Sequence, residues 1–375
     1  MLFNRFNNKT TLVFLIFLIT KLTVFLVAYA FGCQKMWEGC FAHWDSSLYM
    51  SIAQEGHTLF DCTYPKPVWC GNAGWSPFYP LLMRIVHEIT HYNYEHSGGV
   101  VSTIFYFLYL KYMARLLNLE RIDANSIVML LLCAFFPGFI YLHAVFPLSL
   151  CLFLIAAFIF HLQKKDFFYC GILAMLLSWS YASGLFILLP ITSYFLGVLI
   201  TEKRIAWLDA SKIMLPVFLG LIILYGYDYS VTGHWDAVFL VQKKYNHGFY
   251  FLWDMFALRF NQLRENITQP NGIIQLQNFY VFILAFWLLL SAIRATLNGK
   301  FNKPESFFYI GFLIAYWFLP FCMGPEISLY RSSILLAVLL LLWKDKSLDA
   351  KIMLLLSFGI FVFPMVAYFY KNIMI

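Results

Sequence analysis

The sequence predicts an all-α polytopic membrane protein, a bundle of about eleven transmembrane helices with amphipathic interfacial helices in its first outer loop. Three observations carry this. Of 375 residues, 62% are hydrophobic and only 12% charged, against about 25% charged in ordinary soluble domains. Aromatic residues reach 20%, with 41 Phe, and the mean hydropathy is +0.73. Apolar runs of roughly the length needed to cross a bilayer recur along the chain. Too little polar surface exists to cover a cytosolic enzyme, a secreted domain or a disordered chain. The net charge of +7 is scattered and forms no basic stripe, so nucleic acid is not an expected partner.

Eleven segments read as spans: 11–31, 98–117, 124–145, 147–163, 167–181, 184–200, 211–229, 278–296, 306–321, 331–344 and 351–370. The first follows Arg5 and Lys9 and resembles a signal peptide. Its apolar run is longer than a signal core and no small-residue cleavage site follows, so it is read as an uncleaved anchor. The spans hold few ionisable residues, Lys21 being the main one, which argues against a transporter or channel. The chain reads as one membrane domain, 1–375.

Orientation follows from the cations. With the N-terminus inside, sixteen of the 26 Lys and Arg fall in inner loops, nine fall outside and Lys21 lies in the first span. The inner loops are short, where the positive-inside rule has most weight. Only 32–97 and 230–277 are long connections, and both are then outside. Long loops on a rigid scaffold tend to hold chemistry, so the site is expected on the extracytoplasmic face. Cys33, Cys40, Cys62 and Cys70 share the first of these loops, where disulfides form. Cys33–Cys40 with Cys62–Cys70 is one of three possible pairings. Cys133, Cys151 and Cys170 read as core residues of the spans.

Within the first loop, Phe41, Trp44, Leu48 and Ile52 recur at helical spacing, with Asp45, Tyr49 and Ala53 on the adjacent face. An amphipathic helix on the membrane surface is expected there. Asp45 stands at its start, where an N-cap role, accepting backbone N–H bonds, is the plain alternative to chemistry. Ser76-Pro77 reads as the N-cap and first position of a second interfacial helix with Phe78, Leu81, Leu82, Ile85 and Ile89 on its apolar face. That helix ends in His87-Glu88-Ile89-Thr90-His91, a formal H-E-x-x-H. On a helix such a pair can hold zinc with the glutamate as base, but no convincing third ligand is in view, so a membrane metalloprotease is a distant alternative.

The residues Trp44, Asp45, Tyr49, Ile52, Ala53 and Gly56, followed by Pro77-Phe78-Tyr79-Pro80-Leu81, resemble the GPI mannosyltransferase II (PIG-V type) family and its prokaryotic relatives. Weaker matches are Thr232-Gly233 with a later Gln242, and Ser328-Leu329-Tyr330-Arg331. The chain departs from the family at Phe146–Ser149, where many relatives carry an acid, and at His43, where they often carry Arg. The resemblance implies a GT-C bundle and a glycosyltransferase moving mannose, or another sugar of the same class, from a polyprenyl- or dolichyl-phosphate donor to a glycolipid or glycan acceptor. It places Asp45 as the catalytic base. Trp44, Tyr49, His57, Gln242, Lys243, Lys244, Glu326 and Arg331 are the expected substrate contacts, the cations because the leaving phosphate needs charged donors. A monophosphate donor needs no metal, so no cofactor is expected. The membrane is the bacterial inner membrane or the endoplasmic reticulum, with the site outside or luminal.

Overall fold

The structure, a computed structural model, describes residues 8–33, 39–64, 66–119, 123–245, 248–269, 272–297, 303–324 and 328–371. Helix α1 (Asn8–Ala30) leads into the first long connection. This folds as α2 (Ser46–Glu55), a hairpin of β1 (Leu59–Tyr64) and β2 (Lys66–Gly71), and α3 (Phe78–Thr90). The bundle continues with α4 (Tyr94–Leu116), α5 (Ala124–Ala134), α6 (Leu148–Gln163), α7 (Phe167–Ser178), α8 (Leu188–Glu202) and α9 (Trp207–Thr232). The second long connection carries α10 (Ala237–Gln242) and α11 (Leu252–Asn266). Then follow α12 (Gly272–Leu297), α13 (Lys303–Leu313), α14 (Leu319–Cys322), α15 (Leu329–Ser332) and α16 (Leu348–Tyr370), with a 3-10 run, Ser333–Trp343, continuing α15.

All eleven apolar segments are helical at least in part. Among the described residues, six helical segments are long and apolar enough to cross a membrane: Lys9–Ala30, Ala182–Glu202, Trp207–Thr232, Gly272–Leu297, Pro304–Cys322 and Leu348–Tyr370. Shorter apolar helices, α5, α6, α7 and Leu329–Trp343, pack among them. The chain is a polytopic, helical membrane protein. On α9, Leu215, Phe218, Leu219, Ile222 and Ile223 are exposed, as suits a helix long and apolar enough to face lipid. The run Ile334–Leu340 is buried on every side, as expected of a segment enclosed by other helices. Where α8 meets α13, a Cβ on Gly311 would lie 2.4 Å from Ser193 Oγ and one on Gly197 2.9 Å from Pro304 Cα, so small residues set how closely these helices approach.

Four expectations change. Segment 124–145 is not one span: α5 ends at Ala134, and a 3-10 turn follows at Phe139–Leu142. Pro137 lacks an N–H, and Gly138 turns the chain at φ +93°. The first long loop is not purely helical. Its Cys62–Cys70 disulfide closes a hairpin in which Cys62 faces Val68 and Phe60 faces Cys70. The second disulfide is Cys33–Cys40. In α3, Pro77 rather than Ser76 holds the N-cap position. Leu81, Ile85 and Ile89 of α3 are exposed on one side, in keeping with an interfacial helix, whereas α2 buries Tyr49, Ile52 and Ala53 instead of a stripe through Leu48.

Candidate active site

The two long connections meet on one face of the bundle. Gln242 donates to Gly74 O at 3.1 Å, and Lys244 Nζ stands 6.0 Å from the Trp75 ring. The segment before α2 is clamped to the chain that follows the α5 break. Val145 N donates to Phe41 O at 2.9 Å, and Ser46 Oγ donates to Val145 O at 3.0 Å. Between these contacts Trp44 adopts φ +50°. A bulky residue takes this left-handed conformation only when its surroundings hold it there, at a cost of about 1–3 kcal/mol.

The strained turn presents Asp45 at the head of α2, yet its side chain makes no capping hydrogen bond. It accepts instead from Arg331 Nη1 at 2.6 Å, across 286 positions of sequence. The side chains of Arg331 and Asp45 are 10% and 27% exposed: the cation is sunk and the carboxylate keeps an open edge. The plain capping role is thereby replaced by a charge-assisted contact between the first loop and the start of the apolar segment Leu329–Trp343.

Arg331 is held from its own side as well. Gln277 Nε2 donates to Tyr330 O at 3.0 Å, and Ser333 Oγ donates to Pro137 O at 3.0 Å. A Cβ at Gly138 would come within 3.0 Å of Tyr330 O, so the break after α5 lets that turn seat against the Tyr330–Ser333 segment and brings Tyr141 beside the arginine. The guanidinium lies 5.6 Å from the ring centres of Trp44, Phe146 and Tyr330 and 6.0 Å from that of Tyr141. Ring faces attract a cation, and the guanidinium is weakly hydrated enough to stay there.

Around this pair, three buried polar atoms have no hydrogen-bond partner: His43 Nε2, Trp44 Nε1 and Tyr141 Oη. Such atoms are costly unless something else satisfies them. His43, Trp44 and Tyr141 all pack edge-on to Phe369, with centroid distances of 5.3, 5.1 and 5.4 Å. Burial holds the His43 imidazole below its usual range, opposed in part by its bond to the Cys40 backbone.

A second acid–base pair lies elsewhere in the same loop. His57 Nδ1 stands 2.6 Å from Asp228 Oδ1 of α9, and Nε2 stands 3.1 Å from Trp75 O. Both ring nitrogens are thus engaged by protein groups. Here both side chains are almost fully buried, 1% and 0% exposed, and His57 braces the loop against α9.

The other expected contacts are dispersed. Tyr49 is buried edge-on to Tyr79 and Phe146 at 5.7 and 6.0 Å, and burial raises its phenol well above the usual range. Lys243 is exposed on a short turn after α10, while Lys244 is half-buried, 5.0 Å from the Tyr245 ring, with its ammonium lowered by burial. Glu326 lies outside the described residues. Of the set, the structure joins Trp44, Asp45 and Arg331 in one contact cluster.

The H-E-x-x-H reading loses its geometry. Helix α3 ends at Thr90, and His91 turns to φ +59° as its C-cap, off the helical face it would have to share with His87. His87 Nδ1 meets Tyr92 O at 2.5 Å. Among the described residues no group of three His, Cys, Asp or Glu is placed to hold a metal ion.

Sequence reasoning missed Tyr141, hidden in an apolar run, and Asp228, a fully buried acid in a segment read as apolar. An acid near the end of a span, just before Thr232-Gly233, was the available signal for the second. It also missed Arg259 of α11, 7% exposed, whose Nη2 donates to Gly324 O at 3.3 Å.

No family model and no curated protein matches this chain. Among solved structures, an oligosaccharyltransferase of Archaeoglobus fulgidus in complex with zinc and sulfate is similar at 14% identity with a TM-score of 0.46. The match covers 94% of this chain and 52% of that one, so the chain spans about half the length of the structure it matches.

Proposed function

We propose that the protein is an inverting membrane glycosyltransferase of the GT-C type, which moves a sugar, mannose in the first instance, from a polyprenyl- or dolichyl-phosphate donor to a glycolipid or glycan acceptor on the extracytoplasmic side. The observation that carries this reading is the contact of Asp45 with Arg331. It joins a half-open carboxylate to a sunken arginine at the end of the bundle where both long loops meet.

In this reading the acceptor hydroxyl attacks the anomeric carbon and gives its proton to Asp45. The new C–O bond forms as the bond from that carbon to the phosphate oxygen breaks, and the lipid phosphate departs with the electron pair. One displacement inverts the centre, so a β-linked donor gives an α-linked product. Arg331 serves the departing phosphate. Its planar fork matches two phosphate oxygens, and the contact strengthens as charge develops there. Arg331 Nη1 holds Asp45 Oδ2 while its remaining N–H groups are left for the phosphate, so one guanidinium orients the base and meets the leaving group, and the other carboxylate oxygen takes the proton.

A lipid carrier has a place to lie. A cavity of about 280 Å³, almost wholly apolar, opens between α2, α3, α7 and α9, with Ile52, Phe78, Trp179 and Tyr227 among its walls and Arg84 at its edge. Asp45 and Ile52 are separated by about 10 Å along α2, which suits a head at one end of the helix and an isoprenoid chain at the other.

The test is transfer by the purified, reconstituted protein. Radiolabel from mannosyl polyprenyl phosphate is expected in a lipid or glycan product, with glucosyl and pentosyl donors run in parallel. Absence of transfer from every lipid-phosphate sugar to a broad acceptor extract would contradict the proposal.

A further inference from the structure

The end of the bundle opposite Asp45 holds two adjoining cavities that this chemistry does not use. From Arg331 the chain runs through Ser333–Trp343 to that end, where α12 also finishes. One cavity, about 570 Å³, is bordered by Trp287, Ser291, Arg294, Asp345 and Lys346. The other, about 360 Å³ and almost entirely apolar, runs between α12, Trp343 and α16 and shares Trp287, Ser291 and Lys346 with the first. Together they make one groove, polar at its mouth and apolar along its length.

We infer that this groove binds one anionic diacyl phospholipid, with its headgroup at Arg294 and Lys346 and an acyl chain along α12. Arg294 and Lys346 both line the groove, neither shows a side-chain ion pair or hydrogen bond among the described residues, and two such cations suit an anionic phosphodiester. Trp343 lines the groove beside Lys346, and an aromatic next to a basic residue is the usual lining at headgroup depth. The length agrees as well. From Tyr280 to Ser291, α12 rises about 16 Å, close to the hydrocarbon depth of one leaflet, half of about 30 Å. By the Lys and Arg distribution this end faces the cytoplasm, whose leaflet carries anionic lipid and attracts such basic pockets. The inference is independent of the proposed transferase chemistry.

Native mass spectrometry of the full-length, delipidated protein tests it, with phosphatidylglycerol and phosphatidylcholine as probes. One phosphatidylglycerol is expected to be retained, with an affinity on the order of tenfold or more above that for phosphatidylcholine. Arg294→Gln with Lys346→Gln should erase that preference. Ser291→Trp, which fills the groove and leaves both charges, should remove binding altogether, and thermal unfolding of each variant confirms that it is folded. Equal binding of the two lipids, unchanged phosphatidylglycerol binding by the double variant, or displacement of the lipid by millimolar inorganic phosphate would each overturn the inference.

Discussion

The first outer loop ties itself to the bundle with two acid–base pairs of identical length, 2.6 Å, and opposite character. His57 with Asp228 is sealed from solvent, and both ring nitrogens meet protein groups. Asp45 with Arg331 leaves the carboxylate partly open, sits beside a backbone in the left-handed region, and is surrounded by unpartnered polar atoms of His43, Trp44 and Tyr141. A buried ion pair is weak evidence for stability, and distance alone does not separate a strut from a site. Asp228 Oδ2 is buried without a partner as well, so unmet hydrogen bonds do not separate them; access and strain do.

The sharpest break between the two pairs should appear on removing one charge. Asp45→Asn is expected to lower turnover by about 10²–10⁴-fold, the range supplied by a positioned general base, with the amount of folded, inserted protein unchanged. Steady-state transfer normalised to that amount is the readout. Next in size, Arg331→Ala should reduce turnover about 10²–10³-fold, as loss of one charge-stabilising donor does. Arg331→Lys should recover part of this, because a point charge cannot make the forked contact. Full recovery by lysine would mean that the arginine only anchors its span.

The sealed pair should respond the other way. Asp228→Asn disturbs a fully buried hydrogen bond and is expected to cost about 1–3 kcal/mol of stability, seen as a lower unfolding temperature in detergent. Turnover per folded molecule should change by no more than a few-fold. A loss of turnover as deep as that of Asp45→Asn, with no loss of stability, would turn the strut into a second site. The smallest effect belongs to Glu88→Gln and to chelators. With His91 turned off α3, neither should alter transfer measurably, and loss of activity on chelation would reopen a metal-dependent reading.

Much of this was legible in the sequence because the bilayer constrains it. Apolar runs located the helices, but they concealed the break at Pro137-Gly138, which was read as part of one span. Asp45 was legible through its Trp44-Asp45 pattern, and Arg331 through its place at the head of a late span. Their contact was not. It joins positions 286 residues apart, and nothing in local periodicity reports such a pairing. Tyr141 was invisible for a related reason: an aromatic in an apolar run reads as core until a neighbouring backbone turn aims it at a charge. The hairpin was missed because its strand pattern is short and is closed by a disulfide that spacing left among three pairings. His57 looked like a free cation because its partner, Asp228, lies 171 residues away inside a span.

A double-mutant cycle on transfer shows whether Asp45 and Arg331 act as one unit. Residues of one catalytic unit are non-additive. Asp45→Asn combined with Arg331→Lys is then expected to be no slower than Asp45→Asn alone, within a few-fold, when rates are compared on equal amounts of inserted protein. Near-wild-type transfer by Asp45→Asn, or losses that simply multiply in the double variant, would contradict it.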